Sequence, residues 1–160
     1  MNLEGKIHAK NVLKNLFIGA QVDGLQFGIS STAIKIHFTN FHDPVHYEGQ
    51  LYINIETKWC LFNKPQKRYP LNEDEFEGYS EEAEYERIFK IRRQKVTDIQ
   101  LGIESPHLII TLRNGQIIYV NGFHDDYECW QAGVQCEDSL VVAAPCNDIS
   151  TCIPDECNKK

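Results

Sequence analysis

Three groups of side chains in this chain are of the types that do chemistry. The densest is His124-Asp125-Asp126-Tyr127-Glu128, in which three carboxylates and a histidine fall within five residues. Such a set could ligate a metal or pass a proton between imidazole and carboxylate. Either use demands a pocket and a second partner for the histidine; without them the run is a polar loop leading into a strand. The second group is Cys146, Cys152 and Cys157, with Cys136 upstream. Zinc sites favour close pairs two to four residues apart that share one metal. The spacing here has no such pair, so these read as free thiols. The third group is His37, His42 and His46, with Asp43 among them. Pro44 between His42 and His46 breaks the helix that a zinc-protease histidine pair needs, so they read as loop histidines.

Phosphate-cradling glycine loops and nucleophile-elbow serines are missing from the sequence. No catalytic residue, metal or cofactor is therefore expected. The charge distribution is more informative. Between Glu73 and Glu86 lie eight carboxylates and no lysine or arginine, while the rest of the chain holds 15 acidic residues against 16 basic ones. A near-neutral body thus carries one acidic segment, a field that repels nucleic acid and attracts basic partners. Its bland reading is a solvated face that aids solubility. Its functional reading places partner contacts at Glu73, Asp74, Glu75, Glu77, Glu81 and Glu82, with Tyr79 as aromatic anchor.

The elements that must position these residues follow from periodicity. Val12, Leu13, Leu16 and Phe17 share one face of a short helix over Ala9–Ile18, stopped by Gly19. The period then changes to two: Ile34, Ile36 and Phe38 alternate with Lys35, His37 and Thr39, and Leu51, Ile53 and Ile55 alternate again before Trp59 and Leu61. Residues 63–79 read as a long loop. Ser80–Arg93 reads as a helix with acids in its first turn, and Tyr85, Ile88, Phe89 and Arg92 on one face. From Gln94 the strand pattern resumes, and Asn114-Gly115 predicts a tight hairpin with both residues at positive φ. The tail 146–160 reads as loosely docked.

The strand pattern repeats. Val22–Asn40 laid over Val96–Asn114 at a constant offset of 74 gives seven identities in 19 positions, where about one is expected by chance. The identities include Gly28/Gly102, Ser31/Ser105 and Asn40/Asn114, and Gly49-Gln50-Leu51 then meets Gly115-Gln116-Ile117. Each copy reaches a tryptophan, Trp59 or Trp130. The expected fold is mainly β with minor α: two antiparallel β-meander units packed as a sandwich or pseudo-two-fold barrel, with a short N-terminal helix and a helix joining the copies. Residues 1–145 form one domain of two repeats (about 19–62 and 94–134), linked by an acidic loop and helix at 63–93 without counterpart in the other copy.

Leu112-Arg113-Asn114-Gly115 before a strand, Asp126-Tyr127-Glu128-Cys129-Trp130, and a hydrophobic strand closed by Pro145 together resemble a family of small bacterial β-rich proteins of unknown function found in toxin–immunity neighbourhoods. The similarity spans about Leu16 to Pro145 and departs where glycines usually follow the proline, since Cys146-Asn147 stands there. It implies a non-enzymatic binder and supplies no catalytic residues.

The expectation is therefore a cytoplasmic protein, monomer or homodimer, that neutralises a basic toxin or effector domain and binds neither nucleic acid nor membrane. No secretory leader is read at the N-terminus, and no apolar run is long enough to span a bilayer. Two alternatives stand beside it. One is a small-ligand module with a pocket between the repeats near Trp59 and Trp130. The other is a metal-dependent enzyme using His124, Asp125, Asp126 and Glu128.

Overall fold

A computed structural model describes residues 3–29, 33–41, 49–135 and 140–152. Its elements are α1 (Leu3–Phe17), β1 (Gln21–Phe27), β2 (Ile34–Thr39), β3 (Leu51–Ile55), β4 (Trp59–Phe62), a 3-10 turn (Glu73–Glu75), α2 (Glu81–Ile91), β5 (Val96–Leu101), β6 (Leu108–Leu112), β7 (Ile117–Val120), β8 (Trp130–Val134), β9 (Leu140–Ala144) and β10 (Asp148–Cys152). The strands form two antiparallel sheets, β1-β2-β3-β8-β9-β10 and β4-β7-β6-β5. They are joined at one corner by an isolated bridge between Gln21 and Lys95 and are not closed into a barrel.

The ladders of the two halves share their register. Val22 pairs with Phe38 and Leu25 with Ile36; 74 residues later Val96 pairs with Leu112 and Ile99 with Ile110. Both β1 and β5 carry a bulge at the same place, between Val22 and Gly24 and between Val96 and Asp98. The identical glycines have an identical role: Gly28 N–H donates to Ala33 O (2.9 Å), and Gly102 N–H donates to His107 O (2.8 Å). At either glycine a Cβ would strike the returning backbone, meeting Ala33 at the first and Ser105 O at the second. Ser31, matched to Ser105 in sequence, lies outside the described residues.

The fourth strands are exchanged. β4 leaves its own meander to pair with β7, and β8 leaves its own to pair with β3. Trp59 sits opposite Val120 and Trp130 opposite Ile55, so each tryptophan opens a strand that completes the other half's sheet. These are three-stranded meanders with a crossing fourth strand, not self-contained four-stranded ones.

Register corrects the sequence alignment of the third strands. Ile36 pairs with Ile53 and its equivalent Ile110 with Ile118, so Ile53 corresponds to Ile118 and Leu51 to Gln116, one residue away from the match to Ile117. Faces agree with this. Ile118 and Val120 enter the main core with Ile53 and Ile55, while Ile117 and Tyr119 lie on the opposite side of their sheet. In a strand, a slip of one residue reverses every side chain.

The repeated unit also extends further back than the sequence indicates. α1 ends at Phe17 and α2 at Ile91, 74 residues on. Gly19 (φ +86°) and Arg93 (φ +72°) then both take left-handed backbone. Four hydrogen bonds between the halves are reciprocal: Gly19 N–H to Val96 O mirrors Arg93 N–H to Val22 O, and Val96 N–H to Ala20 O mirrors Val22 N–H to Gln94 O. α2 is therefore the positional counterpart of α1, and the unmatched segments shrink to residues 63–80 and the strands after β8. Of the eleven aligned helix positions only Ala9 and Ala83 share a residue type, which hides the relationship from identity counting.

Local chemistry explains the remaining departures. α1 begins at Leu3, a turn and a half before the expected Ala9. α2 is capped by the Ser80 hydroxyl, which accepts from Ala83 N–H, and buries Glu84, Ile88 and Ile91. Its expected apolar face is rotated, leaving Phe89 exposed. The hairpin at Asn114-Gly115 is a three-residue loop in which only Gly115 has positive φ (+85°), and Leu112 N–H donates to Gln116 O (2.9 Å). Part of the expected tail is β10, paired with β9. The turn before it places Cys146 (φ +59°) and Asn147 (φ +62°) in the conformation that glycine tolerates best. One core unites α1, α2 and the inner faces of both sheets.

Candidate functional site

The loop 63–80 is pinned rather than loose. Phe76, Ile117 and Tyr119 form a second apolar cluster on the outer face of the four-stranded sheet. The Tyr69 and Phe76 rings stack on Tyr119 at 4.7 and 5.7 Å, and the Tyr119 hydroxyl donates to Pro70 O. This docking carries the acidic residues to defined places. Asp74, Glu75, Glu77, Glu81 and Glu82 are exposed. Glu75 pairs with the exposed Arg68 at 3.4 Å.

Glu73 and Tyr79, the other two predicted contacts, turn inward. The Glu73 carboxylate accepts from the Thr57 hydroxyl, from Lys58 N–H (3.3 Å) and from the Tyr127 hydroxyl (3.2 Å). Burial by itself would raise its pKa, but these three donors and the nearby His124 outweigh it and hold the carboxyl below its ordinary range. Tyr79 is half-buried and serves the fold. Its hydroxyl accepts from Leu61 N–H (3.2 Å), which blunts the free edge of β4. Its ring packs edge-on to Trp59 at 5.5 Å, and the Arg87 guanidinium lies over it at 3.8 Å.

These residues enclose a cavity of about 240 Å³ lined by Glu56, Thr57, Lys58, Trp59, Glu73, Gly78, Tyr79, Glu84 and Tyr127. Each wall has its own element. The turn before β4 presents Glu56 to Lys58, the 3-10 turn presents Glu73, Gly78 lines the wall in left-handed backbone (φ +64°), and α2 presents Glu84. Glu84 is 8% exposed and accepts from Trp59 Nε1–H at 2.9 Å. Its carboxyl pKa is raised by burial, with the indole hydrogen bond opposing and Glu81 adding. The cavity therefore holds two carboxylates displaced in opposite directions.

Of the two tryptophans near which a pocket is expected, Trp59 lines this cavity and Trp130 does not. Trp130 is fully buried, and its Nε1–H donates to Pro106 O at 2.8 Å. His124-Asp125-Asp126-Tyr127-Glu128 does not converge as a site. His124 Nδ1 accepts from Asp126 N–H (3.1 Å) and its ring stacks on Tyr127 at 3.5 Å, while Glu128 accepts from Gln131 (2.7 Å). Among the described residues no three His, Cys, Asp or Glu side chains converge to hold a metal. Tyr127 alone of that run reaches the cavity. Cys60, Cys129, Cys146 and Cys152 carry free thiols, Cys129 buried with its pKa pushed up to about 12 by burial. Cys136, Cys157, His42 and His46 lie outside the described residues. No described helix is long and apolar enough to cross a membrane.

Glu84 is the residue sequence reasoning missed. It looked like one more acid in an exposed run. Its signal was the stripe Glu84, Ile88, Ile91, spaced four and three apart, which sets it on the buried side of α2. Compared with protein-family models, curated proteins and solved structures, the chain matches none.

Proposed function

We propose that this chain is a non-enzymatic binding protein of the bacterial immunity type, which neutralises a basic toxin or effector domain through its acidic segment. The observation that carries this reading is the exposure of Asp74, Glu75, Glu77, Glu81 and Glu82 on a segment fastened to the sheet by the stacked Tyr69, Phe76 and Tyr119. A fastened acidic surface loses little entropy on binding and steers a cationic partner toward it. Glu73 contributes through its field and Tyr79 through the shape of the surface. In this reading the protein acts in the cytoplasm as monomer or homodimer and binds neither nucleic acid nor membrane. The two sheets, whose inner faces share one core, are the layers of a sandwich.

The test is affinity capture from the source organism with the parent and with Glu75→Lys/Glu77→Lys. The parent is expected to retain a basic protein at physiological salt that the variant loses at least tenfold. Equal retention of the same protein by both would sink the reading. A second reading, a small-ligand module, is favoured by the cavity at Trp59.

A further inference from the structure

The two tryptophans are equivalent in the fold and differ in what their indoles meet. Trp130 donates to a neutral backbone carbonyl and is sealed; Trp59 donates to the carboxylate of Glu84 and borders a cavity. Glu84 is more than nine-tenths buried. Among the described residues its carboxylate takes its one hydrogen bond from the Trp59 indole and makes no ion pair, and Glu81 adds repulsion. A buried carboxylate is costly unless something neutralises it. The cavity offers no such group from within. Lys58, the one basic residue lining it, has its ammonium on Glu73 O at 3.1 Å. Two further carboxylates, Glu56 and Glu73, line the same walls.

We propose that this cavity is a binding site for an organic cation, the guanidinium or ammonium head of a basic side chain that the protein partner inserts. The proposal rests on the reading above that the partner is a basic protein. Three features support it. The volume, about 240 Å³, lies below the range of drug-sized ligands and suits one side chain. Trp59, Tyr79 and Tyr127 line it; Trp59 is nearly sealed, Arg87 lies over the Tyr79 ring and His124 stacks on one face of Tyr127, so the exposed part of Tyr127 is the aromatic surface that attracts a cation. Arg87, seated over the Tyr79 ring at 3.8 Å, already displays this chemistry within the protein. Arginine anchors in desolvated pockets are also recurrent sources of binding energy at interfaces.

The experiment follows the indole N–H signals of Trp59 and Trp130 in ¹⁵N-labelled full-length protein. Nα-acetyl-arginine amide and Nα-acetyl-lysine amide are titrated, with Nα-acetyl-norleucine amide as neutral control. At least one cation is expected to give a saturating shift at Trp59 and none at Trp130, and norleucine amide to bind at least tenfold more weakly. Glu84→Gln keeps an acceptor for Trp59 and is expected to weaken the cation tenfold and to release the captured partner. An unresponsive Trp59, an equal response to norleucine amide, or undiminished cation affinity in Glu84→Gln overturns the site. If the cation binds but Glu84→Gln retains the partner fully, the site takes a free small molecule and the proposal also fails. Neither result touches the surface reading, which is decided separately by Glu75→Lys/Glu77→Lys.

Discussion

Replacing Glu84 by glutamine separates two roles that one side chain now combines. In the fold its pKa is raised by burial, so the folded protein holds this proton more tightly than the unfolded chain does. The group thus favours folding as pH falls and opposes it above the ordinary carboxyl range near 4.5. Glu84→Gln at pH 7 removes the buried charge and keeps the acceptor for Trp59, so it is expected to raise stability by about 1 kcal/mol. Glu84→Ala strands the indole N–H and is expected to cost about 1–3 kcal/mol. Thermal unfolding of the three proteins orders them; a glutamine variant less stable than the parent would refute the destabilising carboxylate. His107 gives a second pH signature. It is 4% exposed, its Nδ1 accepts from Gly122 N–H (2.9 Å), and burial lowers its pKa from 6.5 to about 4 despite a hydrogen bond to the Leu71 backbone. The unfolded chain takes up the proton that the fold refuses, so stability falls as pH drops from 6.5 towards 4, by on the order of 3 kcal/mol at most. Glu73, with its pKa lowered, loses its contribution only at more acid pH. His107→Asn keeps an acceptor for Gly122. Urea unfolding at pH 7.5 and 5 should show a drop in the parent that this variant lacks.

At the scale of elements, the two helix exits make a prediction about backbone. Gly19 and Arg93 occupy equivalent left-handed positions after α1 and α2, and Arg93 is exposed. Glycine is the residue that position favours, and a side chain there costs about 1 kcal/mol. Arg93→Gly is expected to raise the melting temperature by about 2–4 °C, and Gly19→Ala to lower it. A melting temperature unchanged in both would mean that neither exit is strained. What the sequence revealed of these elements depended on what pattern can carry. Alternation located the strands well, because Ile34, Ile36 and Phe38 bury one face and leave Lys35 and His37 half-exposed. It could not choose between Gln116 and Ile117 as the partner of Leu51, since β7 is buried on both faces and its run Ile117–Val120 has no alternation to read. The site was legible only in outline. The acidic run was visible, but charge counting does not distinguish the exposed Glu82 from the buried Glu84 two residues later. The matching helices were hidden because α1 packs on β5 and α2 on β1 through different faces.

The exchange of fourth strands governs the molecule as a whole. Each meander receives its neighbour from the other half: β8 covers β3, and β4 covers β7. The helices cross in the same sense, α1 against β5 and α2 against β1. Cutting the chain in the exposed loop Asn63–Arg68 would therefore divide the protein without producing two domains. Fragment 1–66 would expose the inner edge of β3 and lack the sheet that seats Trp59; fragment 67–160 would expose the edge of β7 and lack the strand against which Trp130 aligns. Unpaired edges and half-covered apolar faces of this kind are marginal in water. Neither fragment is expected to melt cooperatively by circular dichroism, and an equimolar mixture is expected to recover a cooperative melt with both tryptophans buried. A monomeric fragment that melts cooperatively alone would show that its fourth strand can fold back onto its own meander, and that the exchange is not what binds the halves. Recovery in the mixture would also restore the cavity, because its walls come from both fragments: Trp59 and Lys58 from the first, Glu73, Glu84 and Tyr127 from the second. The proposed cation site would then exist only in the assembled fold.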